Sequence, residues 1–351
     1  MTPDLQTASA AGAIALGAAQ TLALLLSSAI CLGIVTWTAG ALYYDVGRAS
    51  RLAGLLVLFW VAAVVAAFIL WQPVWKPFLM MLAFWSVFLL WWFSQKPSNK
   101  RDWNPNFSTL ARIDLDGDVI TIENVRNTEY RTLDDFTPRY ETRTHRLSHL
   151  SGVDVVITYW GSPWLCHPLL IFDFDDEAGE ENRICISIEV RYRVGQQYSF
   201  FRSLYRQQEI MYVVSDERDA ILRRSKFSKD QDVYLYRLFA EAEEIRKVFL
   251  EYVASTNGLA DNPRWYHGLT TNCTISIYRQ RTRQVDWDWR WLFNGKLDEM
   301  LYERERLDAR LPFDELKQKS RVNEIANRAP SNDFGNFIRR ELPAYEQESF
   351  S

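Results

Sequence analysis

Long stretches of this 351-residue chain hold no charge at all: residues 5–44, 52–75 and 77–95 contain no Asp, Glu, Lys or Arg. That absence excludes an ordinary water-facing exterior for the first quarter of the protein, since most charged side chains of a soluble domain lie on its surface. A helix needs about 20 apolar residues to cross the hydrocarbon core. The stretches near 17–42, 52–72 and 77–93 each reach that length, so three spans are expected. A basic leader is missing before the first run, which is also too long for the core of a cleaved signal peptide, so it is expected to stay in place.

Other scarcities narrow the chemistry. There are four cysteines, Cys31, Cys166, Cys185 and Cys273, with no CxxC spacing. A zinc cage or a disulfide framework is therefore not indicated, although a single bridge stays open. The net charge is -4 with both signs interspersed, which gives no basic face of the kind that tracks phosphate backbones. Nucleic acid is not an expected partner. No GxxxxGK[ST] loop, GxGxxG turn, HExxH helix or GxSxG elbow occurs, so nucleotide and zinc-hydrolase chemistry lose their support, and neither metal nor cofactor is expected. His145 and His149 in "THRLSH" are four apart and would share one face of a helix, but no third ligand stands near them. Packing or a surface position is the reading for both.

What is present divides the chain in two. Residues 1–95 read as a membrane anchor and 96–345 as a soluble domain, joined through the polar, proline-bearing "SQKPSNKRDWNPN" at 94–106. Tyr43, Tyr44, Trp71, Trp75, Trp91 and Trp92 fall at the ends of the spans, where amphipathic rings settle at headgroup depth. Arg48, Arg51, Lys96, Lys100 and Arg101 lie on one side of a three-span anchor and only Lys76 on the other. Taken alone, that bias places the large domain in the cytoplasm.

Within the soluble part, "ARIDLDGDVITIENV" alternates on both sides of Asp116-Gly117 and predicts a hairpin whose turn needs positive φ. "VDVVITYW", "HPLLIFDF", "NRICISIEVRYR" and "IMYVVSDE" predict further strands of a mostly antiparallel sheet. From residue 240 the period changes: Ile245, Val248, Phe249 and Tyr252 fall on one face of a helix that Asn257-Gly258 would close. More helical pieces are expected from about Cys273 and through "WRWLFNGKLDEMLYERE" and "PFDELKQKSRVNEIANRA". The fold class is α+β.

The loop-strand "WGSPWLCHPLLIFDF" sets His167 at the opening of a strand. If the next hairpin closes symmetrically near Ala178 and Gly179, position 167 faces 189, which is Glu189. A slip of two residues would keep the parity. A carboxylate in an otherwise core-facing row either pairs with Arg191 or Arg193 or orients the imidazole opposite it. Cys273, after "TTN", stands where a helix would begin, a setting that favours thiolate. From these residues alone it is either a buried filler or a nucleophile served by His167 and Glu189.

Several ordered blocks, among them "NFSTLARIDLDGDVITIENVRN", "DFTPRYETRTHRLSHLSGVDVVITYWGSP", "FRSLYRQQEIMYVVSDERD", "RWYHGLTTNCT" and "WDWRWLFNGKLDEMLYERERLDARLPFDELKQKSRVNE", resemble the bacterial Lnb N-terminal periplasmic domain family across residues 103–340. The resemblance implies a circularly permuted papain-like (NlpC-type) cysteine enzyme with His167 as base, Glu189 as its orienting partner and Cys273 as nucleophile. Asn272 and Tyr159 are oxyanion or site-lining candidates, with the Cys273 backbone N–H. Members usually carry histidine before the Asn-Cys pair, where this chain has Thr271, and a small residue before the strand histidine, where it has Cys166.

The activity implied by the resemblance is that of an acyltransferase, which moves a fatty acyl chain, through a thioester on Cys273, to the amino terminus of a bacterial lipoprotein. Its partners would be a phospholipid or lipoprotein acyl donor, a lipoprotein acceptor and the membrane lipid itself. The same resemblance implies a multi-pass inner-membrane protein whose soluble domain faces the periplasm, against the charge bias. "YWGSPWL" at 159–165 offers apolar surface beside His167 for an acyl chain. The alternatives are a peptidase or amidase acting on cell-wall peptide with the same triad, and a tethered binding module with a silent site.

Overall fold

The computed structural model describes residues 3–47, 50–175, 182–228, 230–270, 288, 290 and 295–343. They fall into two compact units, one of residues 1–96 with 205–207 and one of 97–204 with 208–351. The first unit consists mainly of three helices, α1 (Pro3–Ala41), α2 (Arg51–Leu70) and α3 (Trp75–Ser94), with a π-helical turn at Leu42–Val46 after α1. All three are long and apolar enough to cross a membrane. A small interior of Ile34, Trp60, Val64 and Met81 joins them, and the Trp60 indole donates to the Val35 carbonyl at 3.2 Å. Most of their apolar surface points outward, with Phe59 at 74 % and Leu70 at 75 % exposure. Such faces suit hydrocarbon and would be costly in water.

In the second unit β1 (Arg112–Asp116) and β2 (Val119–Arg126) form the hairpin expected around Gly117, which takes φ 61°. A two-stranded ribbon follows, β3 (Glu129–Tyr130) with β4 (Phe136–Thr137), then β5 (Tyr140–Arg146), β6 (Leu150–Trp160), β7 (Cys166–Phe174) and β8 (Arg183–Arg191). After the short α4 (Phe200–Ser203) come β9 (Glu209–Asp216), α5 (Glu217–Ser225), β10 (Gln231–Arg237) and α6 (Ala242–Asp261). Four short helices end the described chain: α7 (Leu297–Glu303), α8 (Phe313–Lys319), α9 (Asn323–Arg328) and α10 (Phe334–Arg339). The main sheet runs β1-β2-β9-β8-β7-β6-β10, with β5 also on β2. Its ladders are antiparallel except for one parallel bridge between Arg126 and Ser215. The protein is mixed α+β with three apolar N-terminal helices.

Helices cover both faces of the central strands, so these read as continuous apolar runs and do not alternate with polar residues. One face packs Ile157, Leu170, Phe172, Ile184, Ile186 and Ile188 against α6 and α7. There Phe172 meets Phe249 edge-on at 5.1 Å. The other packs Val156, Leu169, Ile171 and Cys185 against α5, α9 and α10.

One sequence expectation is corrected. Asn257-Gly258 does not end α6, which continues to Asp261. Asn257 spends its amide on β1 instead, accepting from the Ile113 N–H at 3.0 Å and donating to the Ile113 carbonyl at 2.7 Å. The packing reading of His145 agrees with its place in β5, buried and stacked on Phe174 at 4.6 Å, while His149 ends a short 3-10 turn.

Candidate active site

In β7 every residue but His167 is buried, and in β8 only Arg183 and Glu189 are not. The β7–β8 register runs from Asp173 opposite Arg183 to Leu169 opposite Ser187. Carried on by two residues, that register would set position 167 against 189. His167 Nε2 lies 3.1 Å from Glu189 Oε1. The residue expected to face the imidazole does so.

Two groups not anticipated from sequence complete the cluster. Ser187 Oγ lies 2.8 Å from His167 Nε2 and donates to Glu189 Oε1 at 2.7 Å. Arg224 donates to the same carboxylate oxygen at 2.5 Å and to Ser187 Oγ at 3.3 Å. Of the two alternative partners for Glu189, Arg191 and Arg193, Arg191 does not pair with it. Arg191 donates instead to the Phe107 and Ser108 carbonyls at 2.8 and 2.6 Å and to Asn99 at 2.8 Å.

Helix α5 explains how Arg224 arrives. Asp216 caps it by accepting from the Arg218 N–H at 2.8 Å. Glu217 and Asp219 stand in its first turn, Arg223 and Arg224 in its last, which matches the helix dipole. Arg224 is 4 % exposed, and burial lowers its basicity although Glu189 opposes this. Burial alone would push the Glu189 carboxyl up, but His167 and Arg224 together outweigh it and hold the group well below the usual carboxylate range. Glu189 is thus an anion at neutral pH, aimed at an imidazole.

Tyr159 does not join this cluster. It pairs with Cys166, whereas Thr158 pairs with His167, so the alternation of the strands puts Tyr159 on the opposite face. Its phenol donates to Asp298 at 2.6 Å, and burial, followed by the Asp298 charge, pushes its acidity down. Lys317 lies 4.4 Å above its ring. These contacts tie α7 and α8 to the sheet.

Cys273 and Asn272 lie outside the described residues, as does the helix expected to begin at Cys273. The chain that flanks them is placed at both ends. On the way in, the Ile210 N–H donates to the Arg264 carbonyl at 3.1 Å, the Tyr266 N–H to the Gln208 carbonyl at 2.9 Å, and Trp265 bridges Glu209. Glu209 pairs with Arg191 of β8, two residues from Glu189. On the way out, the Lys296 N–H donates to the Pro163 carbonyl at 3.2 Å. A Cβ at Gly295 would stand 2.7 Å from the Trp164 backbone, so glycine is required for this approach. Pro163 and Trp164 belong to the loop that leads into His167, where Trp164 and Leu165 are each 50 % exposed.

Among the described thiols, Cys185 is fully buried and its pKa is pushed up to about 12, which makes it a packing residue. Residues 136–286 match the family model of the Lnb N-terminal periplasmic domain, the family that the sequence blocks resemble. Neither the curated proteins nor the solved structures give a match to the chain.

Proposed function

We propose that the protein is a membrane-anchored thiol acyltransferase in which Cys273 is the nucleophile, His167 the base and Glu189 the group that holds the imidazole. One observation carries the reading: the described residues that flank the stretch with Cys273, residues 264–266 before it and Lys296 after it, lie beside β9 and beside the His167 loop, both at the end of the sheet where His167 meets Glu189. The match of residues 136–286 to a periplasmic Lnb domain supports lipoprotein modification as the setting, on the periplasmic side of the inner membrane. Three helices fit to span a bilayer support a lipid donor, since such substrates leave the membrane only at high cost.

In the first half-reaction the Cys273 thiol gives its proton to His167 and its sulfur attacks the ester carbonyl of a phospholipid or lipoprotein donor. The tetrahedral intermediate expels an alkoxide, which takes the proton from the imidazolium, and the acyl chain remains as a thioester. In the second half, the α-amino group of an acceptor lipoprotein attacks the thioester, loses a proton to His167, and the thiol is regenerated. Oxyanion donors would be the Cys273 backbone N–H and Asn272. Tyr159, turned to the other face of the sheet, is not among them. Trp164 and Leu165 provide apolar surface for the acyl chain.

The test uses the full-length protein in bilayer nanodiscs with phospholipid and an N-terminal diacylglyceryl-cysteine peptide, followed by mass spectrometry. An acyl mass on the Cys273 peptide, passed on to the acceptor and absent in Cys273→Ala, is expected. Cleavage of cell-wall peptide with no acyl mass on Cys273 would replace this reading by the amidase one. Loss of both activities would leave a tethered binding module.

A further inference from the structure

The contact between His167 and Glu189 runs partly through a third side chain. Ser187 Oγ lies nearer to His167 Nε2, at 2.8 Å, than Glu189 Oε1 does, at 3.1 Å. A serine hydroxyl has one proton to give and two lone pairs to receive. Ser187 gives its proton to Glu189 Oε1 at 2.7 Å. Arg224, which is a donor only, takes one lone pair at 3.3 Å. The remaining lone pair faces His167 Nε2, so that nitrogen must carry the hydrogen in this bond.

We infer that Ser187 is a positioning residue: its hydroxyl, oriented by Glu189 and Arg224, fixes His167 as the Nε2–H tautomer and leaves Nδ1 as the basic nitrogen. The placement is built, not incidental. Ser187 is 2 % exposed, and its neighbours on this face toward the middle of the hairpin, Cys185 and Leu169 opposite it, are apolar packing residues. When Nδ1 takes a proton, the imidazolium directs its Nε2–H at an anion already assembled, so no dipole has to reorganise at the moment of reaction.

The tautomer stands apart from the acyl-transfer reading, whereas its use for a thiol rests on that reading, so two measurements are made on one set of variants. The first is the nitrogen-15 imidazole spectrum of the full chain in nanodiscs. The protein has four histidines, which three single substitutions at His145, His149 and His267 assign. The wild type is expected to show His167 as a single Nε2–H species. Ser187→Ala should give a mixture of tautomers, and Ser187→Thr, which keeps the hydroxyl, should restore the single species.

The second measurement is acyl-thioester formation on Cys273. Losing one neutral hydrogen bond of about 1.4 kcal/mol corresponds to about tenfold in rate. Ser187→Ala is expected to slow the step by that factor at unchanged KM, with rescue by threonine. An Nδ1–H species in the wild type, or an unchanged spectrum in Ser187→Ala, overturns the proposal. The expected spectra without any thioester keep the tautomer assignment and overturn the acyl-transfer reading instead.

Discussion

One face of the β7–β8 hairpin carries polar groups at both of its ends, and the two ends are built from different chemistry. At one end, Arg183 meets Asp173 at 3.2 Å, Arg237 meets Asp173 at 3.4 Å and Asp154 at 3.2 Å, and Arg339 meets Asp154 at 2.6 Å and Glu217 at 2.5 Å. At the other, six residues along each strand and so about 20 Å away, Glu189 meets Arg224 at 2.5 Å and shares Ser187 with His167. Both ends bury carboxylates by pairing each with arginine, as desolvated charge requires. Arginine does not give up a proton near neutral pH, so the first end is a fixed lattice. An imidazole in the second makes it the end able to move protons.

Breaking the fixed lattice should cost stability and leave chemistry alone. Arg339→Met removes a buried cation from both Asp154 and Glu217, and a loss of about 3–5 kcal/mol in unfolding free energy is expected. Denaturant titration checks this, and turnover per folded molecule should stay unchanged. A variant that lost turnover while keeping its stability would dissolve the distinction between the ends.

Next in size is Glu189→Gln, which keeps the shape and removes the charge. Thioester formation on Cys273 should fall on the order of 10²-fold, the lower bound for losing effective general-base assistance, when followed by single-turnover mass spectrometry.

The same carboxylate sets a pH dependence. Since Glu189 is held well below its ordinary 4.5 when folded, the unfolded chain takes up its proton first as pH falls. Its contribution to stability is therefore whole above about pH 4.5 and is lost as pH drops through the folded value. Thermal melts of wild type and Glu189→Gln should converge toward acid pH and separate above pH 5. Parallel curves would mean that the carboxylate is not held as an anion.

The smallest effect belongs to Tyr159→Phe. It removes one hydrogen bond to Asp298, which Tyr236 at 3.2 Å and Lys317 at 2.8 Å still satisfy. About 1 kcal/mol of stability should go, with thioester formation unaltered. A large loss of rate would return Tyr159 to the oxyanion site despite its position on the far face.

Much of the fold was legible because it rests on local pattern. The hairpin at Gly117, the four apolar strands, the amphipathic α6 and the three long apolar helices all follow from periodicity and turn residues. So did the facing of 167 and 189, which needs only a symmetric loop between two regular strands. What stayed hidden depends on partners far away in the chain. Asn257 reads as a helix stop until β1, more than 100 residues earlier, is known to need its amide. Helix α5 looks like a charged surface segment, yet Glu217, Asp219 and Arg224 are buried in it because Arg339, Arg126 and Glu189 meet them. Ser187 passes for a small core filler, and only the ladder reveals that it lies between an imidazole and a carboxylate. A rule that looks two residues upstream of a strand carboxylate for a hydroxyl on the same face would have found it.

The most direct measurement is the pH dependence of Cys273 alkylation by iodoacetamide in the full-length protein, read by peptide mass spectrometry for wild type and His167→Ala. The expected result is a wild-type thiol that reacts well below pH 7, and a His167→Ala thiol that reacts only as an ordinary cysteine does, with a pKa of about 8.5. Identical profiles in the two proteins, both rising near that ordinary value, would contradict the pairing of this imidazole with this sulfur.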